Sequence, residues 1–355
     1  MRIGILTFDY CNNYGAVLQA YALKTYLVSL GHSVSFGDYW LPILYHRYDL
    51  FPIHTKKKGL TNRLKYYVRC ILKYRSWREK RNRFTIFREK HMPVIPLRDE
   101  EVDLWMVGSD QVWNPKITKS YDDVYYAKSN LKKPYVFYAV SCPSPLLNEK
   151  ALHHIKEKNF PVGVREIMMI EKLHSLGIHS ELVLDPTLLL SKTEWNNLEL
   201  PINIQEKYIF SYNLSGIKTL PSIAKMIAVK NGWLDLNPYS PLRTAGPVEF
   251  LSYFKFAEMI LVSSFHGTVF SIIFHRPFLF FPNHDERDER VVSLLTYLNL
   301  THCIYNSDDT HLQKPQINWD EVEKKLEMLR EKSIRFIKTA ISRYYEDSQK
   351  DSEEG

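Results

Sequence analysis

Met259-Ile260-Leu261-Val262-Ser263-Ser264-Phe265-His266-Gly267-Thr268 decides the architecture. Four apolar residues make a run of buried-strand length, two serines end it, and a helical pattern follows over residues 268–274. A strand that feeds a helix N-terminus is the repeating unit of α/β layers around a parallel sheet. The same reading sets His266 at the carboxyl end of a strand, the edge where open α/β sheets bind ligands. N–H groups and the helix dipole around Ser264 and Gly267 favour an anion there. An imidazole in that place can give a proton or hold a phosphate oxygen. The plainer alternative is a capping serine beside a satisfied core histidine.

The alternation continues outward in both directions. Strand-like runs at 2–8, 33–36, 102–107, 135–141, 162–164 and 182–184 precede or follow helical patterns at 15–30, 149–158 and 166–176. A second series holds strands at 208–212, 259–262 and 277–281 and helices at 220–230, 248–257 and 290–298. Residues 191–206 have the polar, proline-containing composition of a linker. The chain therefore divides into a first Rossmann-like domain over 1–195 and a second over 196–346. An amphipathic helix at 320–341 closes the second domain, and a polar tail at 347–355 reads as disordered.

Three other turns share the strand-end position of His266. Val162-Gly163-Val164-Arg165-Glu166 presents a guanidinium that can grip a carboxylate or phosphate through paired hydrogen bonds. An Arg165–Glu166 pair on a solvated turn is the competing reading. Asn13-Tyr14-Gly15 follows the first strand without the spaced glycines of a dinucleotide fingerprint or a P-loop. Gly108-Ser109-Asp110-Gln111-Val112-Trp113 runs from a strand into small, polar and aromatic residues, a pattern suited to reading a sugar. Leu184-Asp185-Pro186-Thr187 reads as a plain strand terminator. No HExxH, DxD, GxSxG or Cys–His pairing stands in a persuasive setting, so no metal site and no acyl-enzyme is expected.

Composition narrows the class. The 355 residues are 45% apolar and 25% charged, as in a soluble globular protein. No apolar stretch approaches the roughly 18–20 residues of a membrane helix. Cys11, Cys70, Cys142 and Cys303 are scattered without a CxxC pair, which fits a reducing cytoplasm. The net charge of +7 is uneven: residues 56–90 hold fourteen Lys or Arg against Glu79 and Glu89, a local +12. Leu60, Leu64, Tyr67, Val68, Ile71 and Leu72 fall there at helical spacing. A basic amphipathic helix can lie on anionic lipid, or its stripe can pack on the domain. Nucleic acid is not expected, because no nucleic-acid module surrounds the segment.

Several motifs stand in one order along residues 1–300. They are Asn13-Tyr14-Gly15-Ala16, Gly108-Ser109-Asp110-Gln111, Val164-Arg165-Glu166, Leu184-Asp185-Pro186-Thr187, Gly246-Pro247-Val248-Glu249, Ser264-Phe265-His266-Gly267 and Arg290-Val291-Val292. The set resembles the polysaccharide pyruvyl transferase family. The resemblance implies two Rossmann-like domains in a GT-B-like arrangement, facing across a cleft. It implies transfer of pyruvate from phosphoenolpyruvate, a co-substrate with no added cofactor, to sugar hydroxyls of a bacterial surface or capsular glycan. His266 takes the catalytic position, with Arg165, Arg290, Ser264 and Gly267 on the donor and Asn13, Tyr14, Gly15, Ser109, Asp110 and Gln111 along the cleft. A lipid-linked acceptor and a peripheral place at the inner membrane face fit the basic segment. Ile167-Met168-Met169 and Ser141-Cys142-Pro143 depart from the small residues that the family pattern leads one to expect. A nucleotide-sugar glycosyltransferase and a non-catalytic glycan-binding protein are the rival readings.

Overall fold

Seven short strands of the first lobe run parallel, the inner ones largely buried and the two edge strands partly exposed. They are β1 (Arg2–Leu6), β2 (Ser33–Gly37), β3 (Val94–Ile95), β4 (Leu104–Val107), β5 (Tyr135–Val140), β6 (Val162–Val164) and β7 (Glu181–Leu182), in sheet order β3-β2-β1-β4-β5-β6-β7. The second lobe has β8 (Tyr208–Tyr212), β9 (Leu234–Leu236), β10 (Met259–Val262) and β11 (Phe278–Phe280), ordered β11-β10-β8-β9 and again parallel. β4, β5, β8 and β10 are buried along their whole length, as strands covered by helices on both faces must be. The computed structural model describes residues 1–45, 60–198, 204–236, 241–306 and 313–353. The fold is α/β with two Rossmann-like lobes in a GT-B-like arrangement, as expected.

The strand order reverses beside β1 in one sheet and beside β8 in the other. Ligand crevices of doubly wound sheets open at such switch points. The turns after β1, β4, β5, β6 and β10 all lead into the gap between the lobes.

One apolar core spans both lobes, and its Tyr212 and Phe265 reach the wall of that gap. Tyr14 stacks on Phe250 of the other lobe at 4.2 Å between ring centres and donates its hydroxyl to the Ala245 carbonyl at 2.9 Å. Arg83 reaches Glu249 at 2.6 Å. The boundary segment is anchored rather than loose. Ser191 and Glu194 form a capping box on the helix Lys192–Asn196, and buried Trp195 wedges between Tyr21 and Phe270. Residues 199–203 of the expected linker lie outside the described residues.

The long last helix serves both lobes. It spans Trp319–Glu353, so it continues through most of the expected disordered tail; residues 354–355 lie outside the described residues. It begins on the second lobe, where Trp319 stacks on His275 and Glu323 meets His275 Nε2 at 2.8 Å. Its later turns cover the first lobe instead. Ser333 Oγ accepts from the Leu184 N–H at 2.8 Å, and Phe336 packs over Gly163, where a Cβ would come within 3.0 Å of its ring. The buried stripe of Phe336, Ile337, Ala340 and Ile341 needs an apolar floor, and the last strands of the first sheet supply it.

The basic segment forms the helix Leu60–His91, with residues 56–59 outside the described residues. Cys70, Phe84 and Phe87 turn inward. Val68, Ile71 and Leu72 are exposed rather than buried against the domain. They share an outward face, with Ile71 67% and Leu72 79% exposed. Among the described residues no helix is long and apolar enough to cross a membrane.

Candidate active site

The interlobe cleft has a volume of about 420 Å³. First-lobe turns line it with Asn13, Gly15, Asp110, Gln111, Ser141 and Glu166, and the second lobe with Ser264, Phe265, His266 and Arg290. Of the residues singled out in the sequence, Asn13, Gly15, Asp110, Gln111, Ser264, His266 and Arg290 meet here.

Ser264 caps the helix Phe265–Ile273 and accepts from the Gly267 N–H at 3.3 Å. The next residue in, His266, therefore projects from the first turn into the cleft. Its side chain is 14% exposed. The ring lies directly on Gly15, where any Cβ would sit 2.2 Å from Nδ1. That contact, rather than backbone freedom, explains a glycine inside the first turn of a helix. On the far side His266 Nε2 stands 3.7 Å from Asp185 Oδ2, longer than a hydrogen bond.

Asp185 is the anchor that local reading missed. It is buried and joins three elements. It forms a close ion pair with Arg165 Nη1, accepts from the Thr187 N–H and hydroxyl at 3.0 and 2.6 Å, and lies 3.3 Å from Ser109 Oγ. Burial alone would raise its pKa. The His266 imidazole, the Arg165 charge and Thr187 more than offset this and hold the carboxyl well below the usual carboxylate range.

Arg165 lies behind the cleft rather than in it. Its side chain is 2% exposed and lines a smaller adjoining hollow with Asp185, Phe265 and Arg290. Burial opposes its charge, yet Asp185, Glu166 and Asp110 hold its pKa above the ordinary value. Arg290 faces both spaces. Burial, with the neighbouring Arg165 charge, lowers its pKa; a guanidinium still stays protonated at neutral pH. The two guanidinium carbons each lie 5.2 Å from the centre of the Phe265 ring, within cation–π range. With the Gln111 amide oxygen turned to Arg290, it accepts from Nη1 at 3.1 Å and Nη2 at 2.7 Å.

Three expected cleft or donor residues serve the scaffold. Tyr14 is buried in the interlobe core. Ser109 is buried, its N–H donating to Gln19 Oε1 at 3.2 Å and its carbonyl accepting from Thr7 Oγ1 at 2.9 Å. Gly267 gives its N–H to Ser264 and packs against Val262 and Tyr212, so it offers no free donor to an anion. A turn sequence states which residues are near a sheet edge but not which of them face the opening.

The model of a family described as polysaccharide pyruvyl transferase matches residues 13–285. The chain belongs to the polysaccharide pyruvyl transferase family. The match takes in the turns that carry Gly15, Asp110, Arg165, Asp185 and His266, and stops short of Arg290. No curated protein matches the chain. Among solved structures, UDP-GlcNAc 2-epimerase from Neisseria meningitidis is 12% identical, with a TM-score of 0.41 over 96% of this chain and 94% of that one. The glycosyltransferase SnogD from Streptomyces nogalater is 13% identical, with a TM-score of 0.38 over 96% and 98% of the two chains.

Proposed function

We propose that this family member transfers pyruvate from phosphoenolpyruvate to a pair of sugar hydroxyls on a bacterial surface or capsular glycan, forming a ketal. The observation that carries the reading is the convergence of His266 and Arg290 on one cleft, in a chain of this family. The donor bears a phosphate and a carboxylate, and a cationic guanidinium is the group suited to gripping either. Arg165 supports Arg290 from behind through their shared aromatic plate and adds its charge to the site. His266 acts on the donor, either as proton source or as partner of the departing phosphate. In this reading the sugar meets Asn13, Asp110 and Gln111, which line the cleft. No added cofactor enters the proposal.

A candidate lipid-linked glycan incubated with enzyme and phosphoenolpyruvate is expected to gain about 70 mass units, the increment of a pyruvate ketal. Stabilisation against heat by a nucleotide sugar and not by phosphoenolpyruvate would favour a glycosyltransferase instead. Binding of the glycan with no mass change under any donor would leave a non-catalytic glycan-binding protein.

The outward face of Leu60–His91 gives the same proposal a location. Val68, Ile71 and Leu72 stand exposed beside Arg75 and Arg78, apolar and basic groups on one helix surface. We place that face on the anionic inner surface of a membrane, where each basic residue adds about 1 kcal/mol. Flotation with anionic vesicles is expected, weakening as salt rises. Equal recovery with neutral vesicles would remove the electrostatic part of the proposal.

A further inference from the structure

Glu166 stands in the cleft with no part in donor capture. It is 3% exposed and occupies the N-cap position of the helix Ile167–Ser175, yet its side chain makes no capping bond. The side chains that cap a helix start are the short ones of Ser, Thr, Asp and Asn, and a glutamate there is free to turn elsewhere. Here the carboxyl is diverted: Oε1 is held in a short hydrogen bond with the Ser141 hydroxyl, and Oε2 has no hydrogen-bond partner. A buried polar atom without a partner is uncommon enough to call for an explanation, and a catalytic role is one.

The groups around it set its protonation state. Arg165 precedes it in the chain, Arg290 and Glu289 approach from the helix Glu289–Tyr297, and Ser141 and Cys142 follow β5. Asp110 and His266 line the same cleft. Burial pushes the Cys142 thiol up to about 12, so it stays neutral. Burial also raises Glu166, and Arg165, Arg290 and the Ser141 hydroxyl offset this only in part. Two guanidinium groups thus face four carboxyls, those of Asp110, Asp185, Glu166 and Glu289, while Lys116, Arg287 and Glu286 line the same cleft. Bringing in a donor with a phosphate and a carboxylate adds negative charge at short range, which drives the least stabilised carboxylate to take up a proton.

We propose that Glu166, as the neutral acid, delivers the proton that turns the methylene of phosphoenolpyruvate into a methyl group. The proposal rests on the pyruvyl-transfer reading and assigns His266 to the phosphate. The π pair of the donor forms the new C3–H bond, leaving C2 electron-poor. The first sugar hydroxyl bonds to C2, and its proton returns to the Glu166 carboxylate. The C2–O bond to phosphate then breaks, and phosphate leaves with the electron pair. The second hydroxyl closes the ketal at C2, its proton leaving on the phosphate. Nothing is oxidised or reduced.

The test is calorimetry of phosphoenolpyruvate binding in buffers of different ionisation enthalpy, paired with turnover on the acceptor. Wild-type enzyme is expected to take up a proton on binding above the ordinary carboxyl range, and Glu166→Gln to lose that uptake. Glu166→Gln should bind the donor at least as tightly as wild type, because a neutral amide mimics the protonated acid. Its turnover should fall by about 10²–10⁴-fold, the usual contribution of a general acid. Ser141→Ala removes a hydroxyl that favours the ionised form, so the alkaline limb of its rate profile should move to higher pH. That shift decides the matter if Glu166→Gln does not fold. Near wild-type turnover in Glu166→Gln, unchanged proton uptake, or an unmoved limb in Ser141→Ala would overturn the assignment while leaving pyruvyl transfer intact. Wild-type enzyme that neither binds phosphoenolpyruvate nor forms the adduct would overturn both.

Discussion

His266→Ala is expected to leave a folded protein whose pyruvyl transfer is reduced by about 10²–10⁴-fold. Among the described residues the ring is the one imidazole that lines the cleft, and two contacts fix where it points. Gly15 leaves no room for movement on one face, and Asp185 Oδ2 lies 3.7 Å from Nε2 on the other. Removing it takes away a group at the place where the donor phosphate would lie. The structural effect should be small by comparison. Asp185 keeps Arg165, Thr187 and Ser109, so no charge is stranded. Phosphate release with the correct acceptor measures the first effect and denaturant unfolding the second. Turnover near wild type would exclude His266 from the chemistry. A collapse in stability would mean that the ring serves the fold.

The sequence was most legible where the signal was local. The run Met259–Val262 followed by Ser264 could hardly be other than a strand entering a capped helix, and the structure places both there. β3 and β9 escaped notice because they have two and three residues, partly exposed at sheet edges, and show no alternation to read. Asp185 looked like a strand terminator because its meaning depends on Arg165, Ser109 and His266, which the chain brings from far away. Arg165 stands at the expected strand end, but the turn sequence does not state that its guanidinium lies behind the cleft. The stripe of Val68, Ile71 and Leu72 was visible as a stripe, while its outward direction was not, because periodicity identifies a face without naming its partner.

Asp185→Asn tests whether that distant anchor holds the site together, and its expected effect on stability is the largest of any single change considered. Arg165 is buried, and Asp185 is its close partner; Asp110 stands 3.8 Å from the other guanidinium nitrogen. An amide in place of the carboxylate removes the closest of the groups that balance a buried positive charge, and breaking such a buried pair costs about 3–5 kcal/mol. The pH dependence follows from the same pair. The folded carboxyl is held below its ordinary value, so its contribution is complete above about pH 3.9 and is lost as pH falls toward the folded value. Wild-type protein should therefore lose stability through that acid window, and Asp185→Asn should start lower and show a shallower loss. Denaturant unfolding at a series of pH values measures both. Adding Arg165→Met to Asp185→Asn should restore much of the stability, because the charge that was stranded is gone. The double variant should still transfer pyruvate poorly, since His266 and Arg290 lose the groups that position them. If Asp185→Asn unfolds at the wild-type midpoint across the whole series, the buried pair does not organise this cleft.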